Sequence, residues 1–198
     1  MKPKSLHVDL QKQTEANLAE ARAVLAEADC LHSAAAVQAA YDRLGRDISA
    51  QFAEHNPLIL TVMNGGLIPT AEIVGRLNFA FEQDYLHATR YRGATTGGGL
   101  VWKRQPDAKR ISGRHVLVID DILDEGYTLV AIRKALLEFR PASVSVAVTC
   151  QKLHDRLAPG ATAEFIGLQV EDRYVFGCGM DYKEYWRQLP AIYAVKGM

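Results

Sequence analysis

Apolar positions recur along this chain with two periods, one close to three and a half residues and one of near-continuous short runs. The changes of period mark its elements. Residues 17–28 are rich in alanine, leucine and glutamate and read as a helix. Ser33 stands as an N-cap before a second helix, where Val37, Tyr41, Leu44, Ile48 and Phe52 share one apolar face. Asn56-Pro57 ends it. Residues 58–63, Leu-Ile-Leu-Thr-Val-Met, suit a strand buried on both faces. Asn64-Gly65-Gly66 punctuates that strand, and Pro69 fits the first turn of a helix running to about Leu77. A further strand is expected from Asp84 to Arg90.

His115 to Ile119 is the strongest buried-strand signal; it ends in Asp120-Asp121 and leads to a helix at about Leu129–Phe139, stopped by Pro141. Val144–Val148 follows as a strand, with Lys152 just beyond it. Strands alternating with helices imply an α/β fold with a doubly wound, mostly parallel sheet and right-handed crossovers. Between Tyr91 and Gly113 the chain turns glycine-rich and polar. Such a long irregular stretch inside a domain reads as a mobile lid, folding back as a hairpin through Leu100-Val101-Trp102. After Gly160 the pattern shifts to short strands and turns, from Phe165 to Val195.

A chain of 198 residues with 48% hydrophobic content fits a single α/β domain with a sizeable core. Lysine plus arginine balance aspartate plus glutamate at 23 each, which argues against a nucleic-acid-coating or membrane-surface role. Cys30, Cys150 and Cys178 have neither zinc nor disulfide-framework spacing. No signal-peptide pattern or transmembrane run stands out, so the cytoplasm is the expected address.

The chemistry is expected beyond the carboxyl ends of the parallel strands. Asn64-Gly65-Gly66, the stretch Asp120 to Thr128, and Lys152 all fall at such ends. The loop before the third long helix offers a helix N-terminus to a phosphate, with Gly126 allowing close backbone approach and Thr128 adding a hydroxyl. Four acidic residues in the same stretch repel a bare phosphate but accept from sugar hydroxyls and approach a divalent cation. Ribose 5-phosphate meets both demands. Neither a Walker A loop nor a Gly-x-Gly-x-x-Gly fingerprint occurs there. His87, His115 and His154 lack ligand spacing and a clear partner, and read as structural or surface residues.

The run from Val116 to Thr128 resembles the phosphoribosyl pyrophosphate signature of the type I phosphoribosyltransferase family. The stretch Asp172-Arg173-Tyr174-Val175-Phe176-Gly177-Cys178-Gly179-Met180-Asp181-Tyr182, followed by Tyr185-Trp186-Arg187, is similar to the base-binding hood of its hypoxanthine-guanine members. The resemblance covers about Leu31 to Val195. It implies one domain over residues 1–198, with a small hood above the strand ends built from about 162–198 and part of the N-terminal region.

It also implies roles. Asp120 and Asp121 would hold the ribose hydroxyls with Mg2+ close by. Asp124, Glu125, Gly126, Tyr127 and Thr128 would bind the 5′-phosphate, and Asp124 would face purine N7 as general acid/base. Asn64, Gly65 and Gly66 would form the pyrophosphate loop, which in the family often carries a cis peptide after the position of Met63. Lys152 would donate to a 6-oxo group, Tyr174 would stack on the base and Val175 would touch its edge. Asp181 would ligate the metal; Arg187 and the lid pair Arg90-Tyr91 would meet pyrophosphate. The implied activity is transfer of a 5-phosphoribosyl group to hypoxanthine or guanine in purine salvage. The implied partners are phosphoribosyl pyrophosphate and a 6-oxopurine, with a homodimer or homotetramer as the assembly. Two departures stand out: Asn64 occupies a position where lysine is frequent, and Arg90 replaces a small hydroxyl residue. Xanthine as the base, a regulator that binds phosphoribosyl pyrophosphate without turnover, and a generic mononucleotide-binding module without enzyme activity are the rival readings.

Overall fold

The computed structural model describes residues 3–90 and 100–198, with side chains over 13–89 and 101–198. In chain order, α1 (Pro3–Glu27), β1 (Asp29–His32) and α2 (Ala34–Phe52) come first. They are followed by β2 (Leu58–Val62), α3 (Leu67–Val74), β3 (Glu82–Arg90), β4 (Leu100–Arg104) and α4 (Ala108–Ile111). The remainder is β5 (His115–Leu123), α5 (Tyr127–Leu137), β6 (Ser143–Lys152), β7 (Phe165–Val170), β8 (Val175–Phe176) and β9 (Ile192–Ala194).

The main sheet has the order β4-β3-β2-β5-β6-β7, and only the β3–β4 pair is antiparallel. Alternate residues of the central strands feed two cores. Ile59, Leu117 and Ile119 face α2 and α3, packing with Val37, Tyr41, Leu44, Ile48, Phe52 and Ile73. Leu58, Leu60, Val116 and Val118 face α4 and α5, packing with Ile111, Leu129, Ile132 and Leu136. Both faces are covered, which is why these strands read as continuous apolar runs rather than as alternation. A separate antiparallel sheet, β1-β9-β8, forms the small hood.

The α2 face is as its spacing predicts, and Ser33 caps it by accepting from the Ala36 N–H at 3.3 Å. The first helix extends back to Pro3, beyond the alanine-rich stretch, and β5 and β6 continue past their apolar runs to Leu123 and Lys152. The expected hairpin through Leu100-Val101-Trp102 forms between β3 and β4. Of the expected lid from Tyr91 to Gly113, residues 91–99 lie outside the described residues, and the rest contains β4 and α4 rather than being irregular throughout. The short α4, capped by Asp107, is not signalled by periodicity.

One boundary needs correction. The hood does not start near residue 162, because β7 pairs in parallel with β6 as the edge of the main sheet. No helix lies between those two strands, so the helix–strand alternation that marks a crossover is missing there. β7 earns its place by packing: Phe165 meets Phe52 of α2 with ring centroids 6.2 Å apart. From the N-terminal region, β1 pairs antiparallel with β9 in the small sheet. α1 braces the hood from outside, with Trp186 Nε1 donating to the Ala21 carbonyl at 2.8 Å and Tyr182 donating to Glu20 at 2.8 Å. No helix among the described residues is long and apolar enough to cross a membrane.

Candidate active site

Strand connections run outward from β2 through β3 on one side, and from β5 through β6 to β7 on the other. The sheet therefore has its switch point between β2 and β5, where a crevice opens beyond the strand ends. The loop after β2 and the loop after β5 meet in that crevice. A cleft of about 230 Å³ there is lined by Asp121, Ile122, Asp124, Lys152, Tyr174, Val175, Met180 and Asp181. The sheet ends and the hood contribute to it together.

Asp121 lines this cleft and accepts from the Ile122 N–H at 2.7 Å, and the preceding Asp120 carboxylate accepts from the Asp121 N–H at 2.9 Å. Burial, and for Asp120 the neighbouring charge of Asp121, push both carboxyls above their ordinary range. A cation or hydroxyl donors would favour the ionised forms. Gly65 lies so close that a Cβ there would sit 2.1 Å from Asp121 Oδ2. The Met63–Asn64 peptide is cis, at the position the resemblance implies.

Among the described residues no three acidic, histidine or cysteine side chains cluster tightly enough to hold a metal. Two hard carboxylates without a complete cage suit Mg2+, which keeps waters and takes its remaining oxygens from a phosphate ligand. The donor set thus fits an ion that arrives with a diphosphate. Asp181 is already engaged: Oδ1 pairs with Arg187 at 2.6 Å and Oδ2 accepts from the Glu184 N–H at 2.7 Å. Arg187 also donates to the Gly179 carbonyl at 2.8 Å and contacts Glu184 at 3.3 Å.

Gly126 caps α5 in a left-handed conformation, φ 77°, which turns the chain from Asp124 and Glu125 into Tyr127 and Thr128. The N-terminus of α5 follows this turn, and a helix N-terminus presents backbone N–H groups and the positive end of its dipole, a nest that favours a phosphate. Above it, Asp124 and Lys152 meet. The parallel register pairs Leu123 with Gln151, so the next residues of each strand emerge side by side. Lys152 Nζ lies 2.6 Å from Asp124 Oδ2, and His154 Nε2 lies 2.8 Å from Asp124 Oδ1. Burial opposes ionisation of Asp124, but these two hydrogen bonds outweigh it and hold the carboxyl below its ordinary value. His154 has a partner after all, one that sequence spacing does not reveal.

The hood supplies Tyr174, 43% exposed and set edge-on to Tyr182 at 5.5 Å, and Val175 at the start of β8. Cys178 is a buried packing residue, its thiol pushed up to about 12 by burial. Arg90 ends β3 with its backbone paired to Leu100. The Arg90 side chain and all of Tyr91 lie outside the described residues.

The family profile described as a phosphoribosyl transferase domain matches residues 27–184. The chain belongs to this family. The phosphoribosyltransferase is 32% identical over 154 residues to a protein of Streptococcus pneumoniae named hypoxanthine-guanine phosphoribosyltransferase, covering 78% of this chain and 85% of that one. A Tritrichomonas foetus relative, named hypoxanthine-guanine-xanthine phosphoribosyltransferase, is 31% identical over 81% of this chain and 87% of its own. The fold of the phosphoribosyltransferase also matches a crystal structure of a hypoxanthine-guanine phosphoribosyltransferase from Bacillus anthracis. That match has a TM-score of 0.76 and 25% identity, covering 84% of this chain and 97% of the other.

Proposed function

We propose that this phosphoribosyltransferase moves the 5-phosphoribosyl group of phosphoribosyl pyrophosphate onto N9 of hypoxanthine or guanine, giving IMP or GMP and pyrophosphate. The observation that carries this reading is the Asp124–Lys152 pair, an acceptor beside a pure donor, in one cleft with Asp121. A ribose placed against Asp120 and Asp121 gives its hydroxyl protons to the two carboxylates, which favours their ionised forms. Its 5′-phosphate reaches the nest formed by Glu125, Gly126, Tyr127 and Thr128. The pyrophosphate extends toward Asn64-Gly65-Gly66, with Arg187 nearby. The Asp120 and Asp121 carboxylates, with oxygens of the ligand, would hold Mg2+, which would supply charge neutralisation on the leaving group.

The base enters under Tyr174, which covers its face, while the Val175 backbone meets its edge. The 6-oxo oxygen accepts from Lys152 and takes the place that Asp124 Oδ2 now holds. Oδ2 is thereby released toward N7, where the carboxylate stabilises or accepts the proton as N9 becomes nucleophilic. Bond making at the anomeric carbon follows loss of pyrophosphate character at that carbon, through an oxocarbenium-like state. A 6-amino group offers Lys152 no acceptor, so adenine is selected against.

The test is nucleotide formation with hypoxanthine, guanine, xanthine and adenine, each run with Mg2+ beside the Asp124→Asn variant. Hypoxanthine and guanine should react, and the variant's kcat should fall by about 10²–10⁴-fold. Turnover of xanthine alone would overturn the choice of base; tight ligand binding without any product would favour a regulator.

A further inference from the structure

His154, in contact with Asp124 of the cleft wall, is a buried titratable group that the transfer just described leaves unused. Its side chain is 2% exposed, beside an Asp124 side chain that is 41% exposed. Nδ1 accepts from the backbone N–H of Arg156 at 3.0 Å, which places the ring proton on Nε2. Nε2 therefore donates to Asp124 Oδ1, at 2.8 Å. The Asp124 carboxylate is thus held at both oxygens, by Lys152 on Oδ2 and by His154 on Oδ1.

The two donors are not equivalent. Lys152 is a flexible point charge with three protons to give, and it can turn to a new acceptor without moving its backbone. His154 is gripped from behind by the Arg156 turn, and cannot swing away without losing both hydrogen bonds. When a base draws Lys152 off Oδ2, His154 alone remains on the carboxylate.

We propose that His154 is a positioning residue, which fixes Asp124 through Oδ1 so that Oδ2 faces the incoming base. This rests on the reading of Asp124 as the group opposite N7. The hydrogen bond also favours the ionised carboxylate at the moment its lysine partner leaves, because a donor to the charged form stabilises that form. The charged groups around His154 are Asp124, Lys152, Arg156 and Asp172. The last two largely neutralise one another as a bidentate pair at 2.7 and 2.9 Å.

The two ring nitrogens do different things, and amides separate them. His154→Asn keeps an acceptor near the Nδ1 position for the Arg156 N–H but drops the donor to Asp124. His154→Gln places an N–H near the Nε2 position and sacrifices the turn contact. Two quantities are measured for both variants: steady-state kinetics of nucleotide formation, and the side-chain carboxyl titration of Asp124 by carbon-13 NMR, assigned by its loss in Asp124→Asn. His154→Asn should lower kcat about tenfold with little change in KM for phosphoribosyl pyrophosphate, and should raise the Asp124 midpoint by about one pH unit. His154→Gln should stay within about twofold of the unsubstituted protein on both. If the Asn variant behaves normally while the Gln variant is impaired, the ring only shapes its turn and the proposal is overturned. Transfer that is normal in both variants overturns it too, leaving the enzymatic reading intact. Absence of transfer by the unsubstituted protein removes both.

Discussion

Gly65 is held to its type by a neighbour rather than by its own dihedral angles. Any side chain there would collide with the Asp121 carboxylate, the group proposed to receive the ribose. Gly65→Ala must therefore push either the loop or the aspartate aside. A destabilisation of about 1–3 kcal/mol is expected from the overpacking. Thermal melts should register it, and KM for phosphoribosyl pyrophosphate should rise more than KM for the base. At this scale the sequence was informative about which residue types matter and poor on who touches whom. The run of acids at 120–125 and the lysine at 152 were visible as chemistry at strand ends. The hydrogen bonds joining Asp124 to Lys152 and His154 were not, because strand register creates them and no local spacing records it. Asp181 and Arg187 illustrate the same gap: read singly as a metal ligand and a pyrophosphate contact, they pair with each other.

Among the elements, the hairpin of β3 and β4 carries a nearly buried carboxylate shared by two arginines. Asp84 of β3, only 10% exposed, receives Arg104 of β4 at 2.7 Å and Arg110 of α4 at 2.9 Å. Arg104 also lies over the Tyr85 ring at 3.8 Å. Removing the charge with Asp84→Asn should cost about 1–2 kcal/mol, since both guanidinium groups are partly exposed and solvent screens part of the interaction. Burial opposes ionisation of Asp84, yet the arginines and the Tyr85 amide bring its folded pKa below the ordinary value. A carboxyl with a depressed folded pKa contributes its stability above the unfolded value of about 3.9, and loses it as pH falls through the lower folded value. Denaturant titrations should consequently show a gap between Asp84→Asn and the unsubstituted protein at pH 7 that narrows by pH 3. Periodicity found the long elements because a face that must be buried repeats for several turns or strands. It missed α4, which is one turn long, and it misplaced β7, which enters the main sheet without a helix before it.

The whole molecule consists of a doubly wound sheet and a small sheet that meet around one cleft. Neither part carries the candidate site alone, since Asp124 and Lys152 come from one and Tyr174 and Val175 from the other. A ligand that touches both should stabilise the folded chain by mass action, by about 2.7 kcal/mol at a hundred times its dissociation constant. For a chain of this size that corresponds to a rise in Tm of about 5–10 °C. Calorimetry with phosphoribosyl pyrophosphate and Mg2+ should show this rise, and Asp120→Asn combined with Asp121→Asn should abolish most of it.

The small sheet has one further consequence, which concerns time rather than affinity. Its pairs join Asp29 and Cys30 to Ala194 and Tyr193, residues from nearly opposite ends of the sequence. Pairing across such a long intervening chain carries a large closure entropy, and it becomes favourable only once the residues between have already condensed. In refolding, the parallel core is therefore expected to form before the small sheet that contains Val175 pairs. The side of the cleft that Val175 supplies is thus expected to be completed late in folding.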